Sequence, residues 1–224
     1  MKRPTNLRQT ILAYHGDLAD DPHHRYRSWE HCYEFFQRIE RNGIAAQRDN
    51  AAMQLGFYLA SWGMYRGSSF LLQHAYSVHL GVVDCLASPS FAPLWENDIG
   101  CETEHASLAP TILAAADAVR EAYRPFGRPT DTLVTKVLLG TIGCLPACDR
   151  YFTDGFKRAG LKYSRLNSRF VMRILNFCSD NVSDLQTEQT RIKTIGGVKY
   201  PLMKLVDMYF WQIGYEANVQ NAAT

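Results

Sequence analysis

The chain has 224 residues, enough to bury a full core, and its 46% hydrophobic and 21% charged content excludes a disordered or fibrous protein. No apolar run reaches the roughly 18 residues of a membrane span, and the opening Met1-Lys-Arg-Pro-Thr-Asn lacks a signal-peptide core, so a cytoplasmic protein with no membrane partner is expected. The formal net charge of +2 conceals an asymmetry: residues 84–131 carry eight Asp/Glu against three Arg, and residues 157–204 carry ten Lys/Arg against three Asp/Glu.

Helical periodicity runs through the chain, and the fold class it predicts is all-α. Trp29, Cys32, Tyr33, Phe36 and Ile39 share one face, with Ser28 as a candidate N-cap and Asn42-Gly43 as a stop. A longer helix is expected from about Asp49 to Gln73, where Met53, Phe57, Ala60 and Met64 recur at helical spacing. An alanine-rich helix over 107–123 ends at Arg124-Pro-Phe-Gly127, Thr130-Asp131 caps the next, and Asp149 opens another. Leu166, Phe170, Ile174, Phe177 and Cys178 mark a helix, 183–192 a weaker one, and 194–201 a turn or short hairpin. The last helix follows Pro201 and buries Leu202, Leu205, Val206, Tyr209 and Ile213. No Gly/Ser/Pro-rich linker divides the chain, which predicts one helical domain over 1–224, a mobile segment over 1–26, and a monomer.

The stretch from Leu133 to Phe152 sets Lys136 and Asp149 thirteen positions apart across a helix, a Pro146-containing turn and a second helix start. A carboxylate in a helix cap is favoured as the anion by free amides and the helix dipole. Apolar surroundings disfavour a lysine's charged form and leave more free amine. Cleavage of an N-glycosidic bond uses both: an anion stabilises charge developing on the sugar, and an amine attacks its anomeric carbon. Residue type and spacing alone fit a plain N-cap and a lysine that snorkels from a surface helix better than they fit a catalytic pair.

The basic half suits a phosphate backbone, and Arg150, Lys157, Arg158, Lys162, Arg165 and Arg169 are its candidate DNA contacts. Spacing of three to four residues from Lys162 through Arg165 and Arg169 to Arg173 also fits the solvated face of an amphipathic helix. Between Leu59 and Gln73, Trp62, Tyr65, Arg66, Ser69 and Gln73 fall at helical intervals in an apolar setting, the partners an extruded base needs, with Trp211 and Gln212 to complete the pocket. The alternative is a core helix whose Gly63 and Gly67 permit close packing. The six cysteines form no framework, and Cys144 and Cys148 have no matching second pair, so reduced thiols are expected, with no metal and no cofactor.

Thr135-Lys136-Val137, the Pro-containing turn and Asp149-Arg150-Tyr151-Phe152 resemble the helix-hairpin-helix DNA glycosylase superfamily, which includes 8-oxoguanine and endonuclease III type enzymes. The closing Pro201–Tyr215 stretch is similar to the last helix of small bacterial proteins with that fold, and the likeness covers about the last 100 residues. It implies a compact multi-helix fold, a Schiff-base lysine at Lys136, a catalytic aspartate at Asp149 and double-stranded DNA with modified bases as partner. Where that family has a glycine-rich hairpin, this chain reads Phe126-Gly-Arg-Pro-Thr-Asp-Thr-Leu133, and the lysine-to-aspartate interval is shorter. The whole chain also resembles bacterial proteins among which an anti-phage branch removes bulky bases such as glucosylated hydroxymethylcytosine.

Two other functions compete. Arg8 with His15 and Arg25 with His31 fit the loose Arg-to-His spacing of HEPN-type ribonucleases, and a helical nucleic-acid-binding module without catalysis would need neither Lys136 nor Asp149.

Overall fold

The computed structural model describes residues 6–19, 21–100 and 105–222, and among these the protein is all-α, with one isolated antiparallel bridge, Lys193 to Lys199. Its α-helices are α1 (Leu7–Ala19), α2 (Arg27–Gly43), α3 (Arg48–Ser61), α4 (Leu80–Leu86), α5 (Ala92–Glu96), α6 (His105–Tyr123), α7 (Asp131–Thr141), α8 (Arg150–Arg158), α9 (Ser168–Asp180), α10 (Val182–Arg191) and α11 (Leu202–Ala222). No helix among the described residues is long and apolar enough to cross a membrane.

Two helices form the centre. Every residue from 201 to 212 is buried, so the first half of α11 is enclosed on all sides rather than amphipathic, while its C-terminal turns reach solvent. Helices α1, α8, α9 and α10 pack around it. The crossing with α8 is close because both helices present glycine there: a Cβ at Gly155 would lie 1.8 Å from the Phe210 carbonyl oxygen, and one at Gly214 would lie 2.0 Å from that of Tyr151. Helix α7 is likewise buried at every position from Leu133 to Thr141, enclosed by α2, α3 and α6. A charged residue within these buried stretches is shielded from bulk water and needs a partner.

Several expectations change. The N-terminal stretch expected to be mobile contains α1, whose Leu7, Ile11 and Tyr14 are buried. Helix α2 begins at Arg27, one residue before Ser28, whose hydroxyl donates to the Arg25 carbonyl instead of capping. The helix expected to reach Gln73 stops at Ser61, since Gly63 and Gly67 adopt φ of +72° and +59° and turn the chain. Met53 and Phe57 lie on its exposed face, while Ala52, Leu55, Tyr58 and Leu59 face the core. Lys162 and Arg165 precede α9 in a loop, so they do not share a helix face with Arg169 and Arg173.

Candidate active site

The connection from α7 to α8 carries the site. Thr130 starts α7 by accepting from the Leu133 amide at 3.2 Å, as its position before an apolar run predicts. Beyond α7, two threonines of that helix clamp the returning chain: Thr135 Oγ1 accepts from the Cys148 amide at 2.8 Å, and Thr132 Oγ1 donates to the Cys148 carbonyl at 2.9 Å. From α11, Asp207 Oδ1 accepts from the Ala147 amide at 3.0 Å. Asp149 is thereby fixed as the N-cap of α8, its Oδ1 accepting from the Phe152 amide at 3.1 Å.

The other carboxylate oxygen, Oδ2, accepts from Lys136 Nζ at 3.2 Å. Lys136 is buried among apolar neighbours of α7, and the Asp149 side chain keeps 16% of its surface exposed. Helix dipole, backbone amide and ammonium all converge on one carboxylate with a face left open. The Lys136 ammonium also lies 4.8 Å from the centre of the Trp62 ring, a cation–π contact that offsets part of its lost hydration.

A second pair lies behind the first. Lys204 Nζ donates to Asp207 Oδ2 at 2.8 Å and to the Tyr14 hydroxyl at 3.3 Å, and it sits 4.9 Å from the Trp29 ring and 5.6 Å from that of Trp62. Burial raises the Asp207 carboxyl above its ordinary value, Lys204 opposes that, and the nearby Asp149 charge adds to it. Between the pairs lies a void of about 10 Å³, lined by both lysines, both aspartates, Tyr58, Trp62 and Trp211. Sequence reading missed Lys204 and Asp207 as polar residues of the site. Their signal was available: opposite charges three positions apart in an otherwise apolar helix have to pair to be buried.

Trp62, Trp211, Lys136 and Asp149 also floor a cleft of about 920 Å³ that opens to solvent. Aromatic walls come from Trp62, Phe70, Tyr151 and Trp211, with Tyr26 stacked on Trp62 at 5.1 Å and Trp211 edge-on to Tyr151 at 5.1 Å. Five cationic side chains line it, Arg25, Arg66, Arg128, Lys136 and Arg150, against the single carboxylate of Asp149. Its field therefore favours an anionic ligand.

Of the residues expected around a base, the cleft unites Trp62, Arg66, Ser69 and Trp211. Tyr65, Gln73 and Gln212 are not in its lining. The Tyr65 hydroxyl bonds His79 Nε2 at 2.6 Å, and His79 Nδ1 meets the Tyr123 hydroxyl at 2.7 Å, an arrangement in which burial lowers the imidazole to about 4. Gln73 is exposed in a 3-10 turn over Phe70–Gln73, because the chain has already left the helical path that would align it with Trp62. Gln212 is buried and donates to Glu216 at 2.9 Å. Among the expected DNA contacts, Arg150 lines the cleft, while Lys157, Arg158, Lys162, Arg165 and Arg169 are exposed on α8, the following loop and the start of α9. Arg25 and Arg128 were not anticipated, since their segments meet only in three dimensions.

The four residues of the ribonuclease pairings have the following partners. Arg8 is held by Glu188 at 2.5 Å while His15 packs against the Tyr200 ring; Arg25 lines the cleft while His31 lines a separate depression with Met53 and Phe57. Cys144 and Cys148 are buried, and burial raises both thiols, Cys144 to about 12, which keeps them in the neutral form. Comparison of the chain with protein-family models, curated proteins and solved structures found no match.

Proposed function

We propose that this protein is a DNA glycosylase of helix-hairpin-helix type that excises a modified base and leaves an abasic site. The observation that carries the reading is the Asp149 carboxylate, held by Lys136 and an α8 amide at the floor of a cationic, aromatic-walled cleft. The succession of α6, the 124–130 turn and α7, with lysine on α7 and aspartate opening α8, supports the same family reading.

The chemistry follows from those groups. An extruded nucleotide enters the cleft, its base taking the aromatic walls and its phosphates the arginines of the mouth. As the bond from C1′ to the base nitrogen lengthens, its electron pair leaves with the base and positive charge grows on the sugar. Asp149 meets that charge from a fixed position, so it needs no reorganisation as charge develops. Water then adds to C1′, its oxygen forming the new bond and its released proton passing to the carboxylate. Lys136, engaged as the ion-pair partner of Asp149, orients that carboxylate; an ammonium is no nucleophile, so the pair favours hydrolysis over Schiff-base chemistry.

A cleft of about 920 Å³ stands at the upper end of the range for small-molecule sites, which supports a bulky base such as glucosylated hydroxymethylcytosine and, with it, a role in phage defence. The test incubates the protein with duplexes containing unmodified bases, uracil, 8-oxoguanine or glucosyl-hydroxymethylcytosine and scores abasic sites before and after mild alkali. Base release on the bulky substrate, without strand cleavage until alkali is added, is the expected result. Absence of abasic sites on every substrate rejects the reading.

A further inference from the structure

Behind one wall of the cleft lies a hydrogen-bonded line of three side chains that the ion pairs do not use. Tyr65 comes from the turn after α3, His79 from the residue before α4, and Tyr123 from the end of α6. The imidazole bridges the two hydroxyls, with Nε2 at 2.6 Å from that of Tyr65 and Nδ1 at 2.7 Å from that of Tyr123. His79 and Tyr123 are both 0% exposed. Helix α3 leaves room for the ring by presenting Gly56, where a Cβ would lie 3.2 Å from His79 Cδ2.

Hydrogen-bond accounting fixes the direction of the line. The Tyr123 hydroxyl has no other hydrogen-bond partner among the described residues, and a buried O–H that fails to donate is costly, so its proton goes to Nδ1. A neutral imidazole that accepts at Nδ1 carries its hydrogen on Nε2 and donates it to the Tyr65 oxygen. Tyr65 is partly exposed, which leaves its own proton to water. Burial lowers the imidazole to about 4, and a second hydrogen at Nδ1 would displace the one from Tyr123, so the ring stays neutral.

The turn that carries Tyr65 has few other ties. Its Met64 amide donates to the Leu59 carbonyl at 2.9 Å, and the next backbone bond, from the Ser69 amide to the Arg66 carbonyl at 3.2 Å, closes the turn on itself. Met64 and Arg66, on either side of Tyr65, line the cleft, whereas Tyr65 turns away from it to reach His79. Phe70, at the far end of the same wall, packs edge-on to the Tyr123 ring at 5.7 Å. Tyr123 therefore anchors the wall at two points, through His79 and through Phe70.

We infer that Tyr123, His79 and Tyr65 form a latch, with His79 fixed as the Nε2–H tautomer, that holds the 62–70 wall of the cleft in its ligand-binding position. This deepens the glycosylase reading and rests on it for the turnover measurement alone. The three are positioning residues, since they act on a ligand only through the wall.

The experiment compares wild type with Tyr65→Phe, which keeps the ring and removes one hydroxyl, and with Tyr76→Phe, which removes an exposed hydroxyl bonded to Asp49 outside the cleft. The readouts are the nitrogen-15 shifts of the His79 ring, the carbon-13 signal of the Met64 methyl group without DNA, and KM and kcat for base release from the glucosyl-hydroxymethylcytosine duplex. Wild type near neutral pH is expected to show a hydrogen on Nε2 and none on Nδ1. Tyr65→Phe is expected to move the Met64 signal and to raise KM by about tenfold, the scale of one lost hydrogen bond, with kcat within about twofold because Lys136 and Asp149 belong to α7 and the α8 cap. Tyr76→Phe is expected to change none of these. A hydrogen on Nδ1, an unmoved Met64 signal, or a lower kcat at wild-type KM in Tyr65→Phe overturns the inference. Base release from no substrate rejects the glycosylase reading and leaves the two spectroscopic readouts to decide the latch; release with a wild-type KM in Tyr65→Phe rejects the latch and keeps that reading.

Discussion

Two lysine–aspartate pairs share the Trp62 ring, and their contexts assign them different work. Lys136 and Asp149 join two elements across the turn between α7 and α8, and Asp149 keeps an open face on the cleft. Lys204 and Asp207 sit three residues apart on α11 with 3% and 5% of their side chains exposed, and neither lines the cleft. Asp207 spends one oxygen on Lys204 and the other on the Ala147 amide, so its hydrogen-bonding capacity goes to holding the chain two residues before Asp149. Asp149 has a cap bond, an ion pair and room for a third partner. A shielded pair stabilises geometry; a pair with one open face can act on a ligand.

Breaking the shielded pair has the largest expected effect. Lys204→Met strands a buried carboxylate, and denaturant unfolding is expected to show a loss of about 3–5 kcal/mol. A loss below about 1 kcal/mol would mean that Asp207 is solvated or neutral and that the two pairs do not differ in shielding. Removing both charges with Lys204→Met and Asp207→Leu is expected to recover part of that loss, because no unpaired ion then remains, although the Ala147 amide forfeits its acceptor.

Lys136→Gln is the matching break in the open pair. Asp149 retains the Phe152 amide and solvent on its exposed face, so the stability loss is expected to be smaller, about 1–2 kcal/mol. Borohydride treatment of wild type during base release is expected to trap no protein–DNA adduct, because Lys136 acts as an ion-pair partner. A trapped adduct that disappears in Lys136→Gln would show the amine attacking the sugar and would redraw the division between the pairs.

The smallest effect concerns pH. Burial raises the Asp207 carboxyl above its ordinary 3.8, so the folded state holds that proton more tightly than the unfolded chain. Its contribution is full below 3.8 and is lost as pH rises through the raised folded value, the reverse of a carboxylate stabilised as the anion. Tyr14, Tyr58, Lys136, Cys148, Asp149 and Lys204 are titratable groups around it, from α1, α3, α7, the turn that ends at the α8 cap, and α11. Asp149→Asn removes one repulsive charge and is expected to lower the Asp207 value, read by carbon NMR of the carboxyl group. An unchanged value would show that the two pairs do not sense each other.

Local signals were legible in the sequence, and long-range convergence was not. Thr130 before an apolar run, Pro146 in a turn and Asp149 before Tyr151-Phe152 announce their own roles through backbone chemistry within a few residues, and the caps form where expected. The helix expected to reach Gln73 ends early because its residues keep helical spacing while Gly63 and Gly67, two helix breakers, carry the chain into positive φ. The apolar pattern of α11 says that the helix is buried but not that Lys204 and Asp207 pair within it, because their partners on α1 and in the 147 turn are distant in sequence. Arg25, Arg66 and Arg128 lie on three separate stretches, and nothing local to any of them says that they face one cavity.

Single-turnover base release from the same duplex by Asp149→Asn and Asp207→Asn separates an open pair that acts on the ligand from a shielded pair that holds the first in place. Asparagine can preserve the cap bond in the first variant and the acceptor for the Ala147 amide in the second, so charge is the main change at either site. Asp149→Asn is expected to lose about 100- to 1000-fold, the scale of removing one fixed stabiliser of transition-state charge, with DNA affinity within about twofold of wild type. Asp207→Asn is expected to lose less than about tenfold. Equal losses in the two variants, or undiminished release by Asp149→Asn, would contradict that division between the pairs.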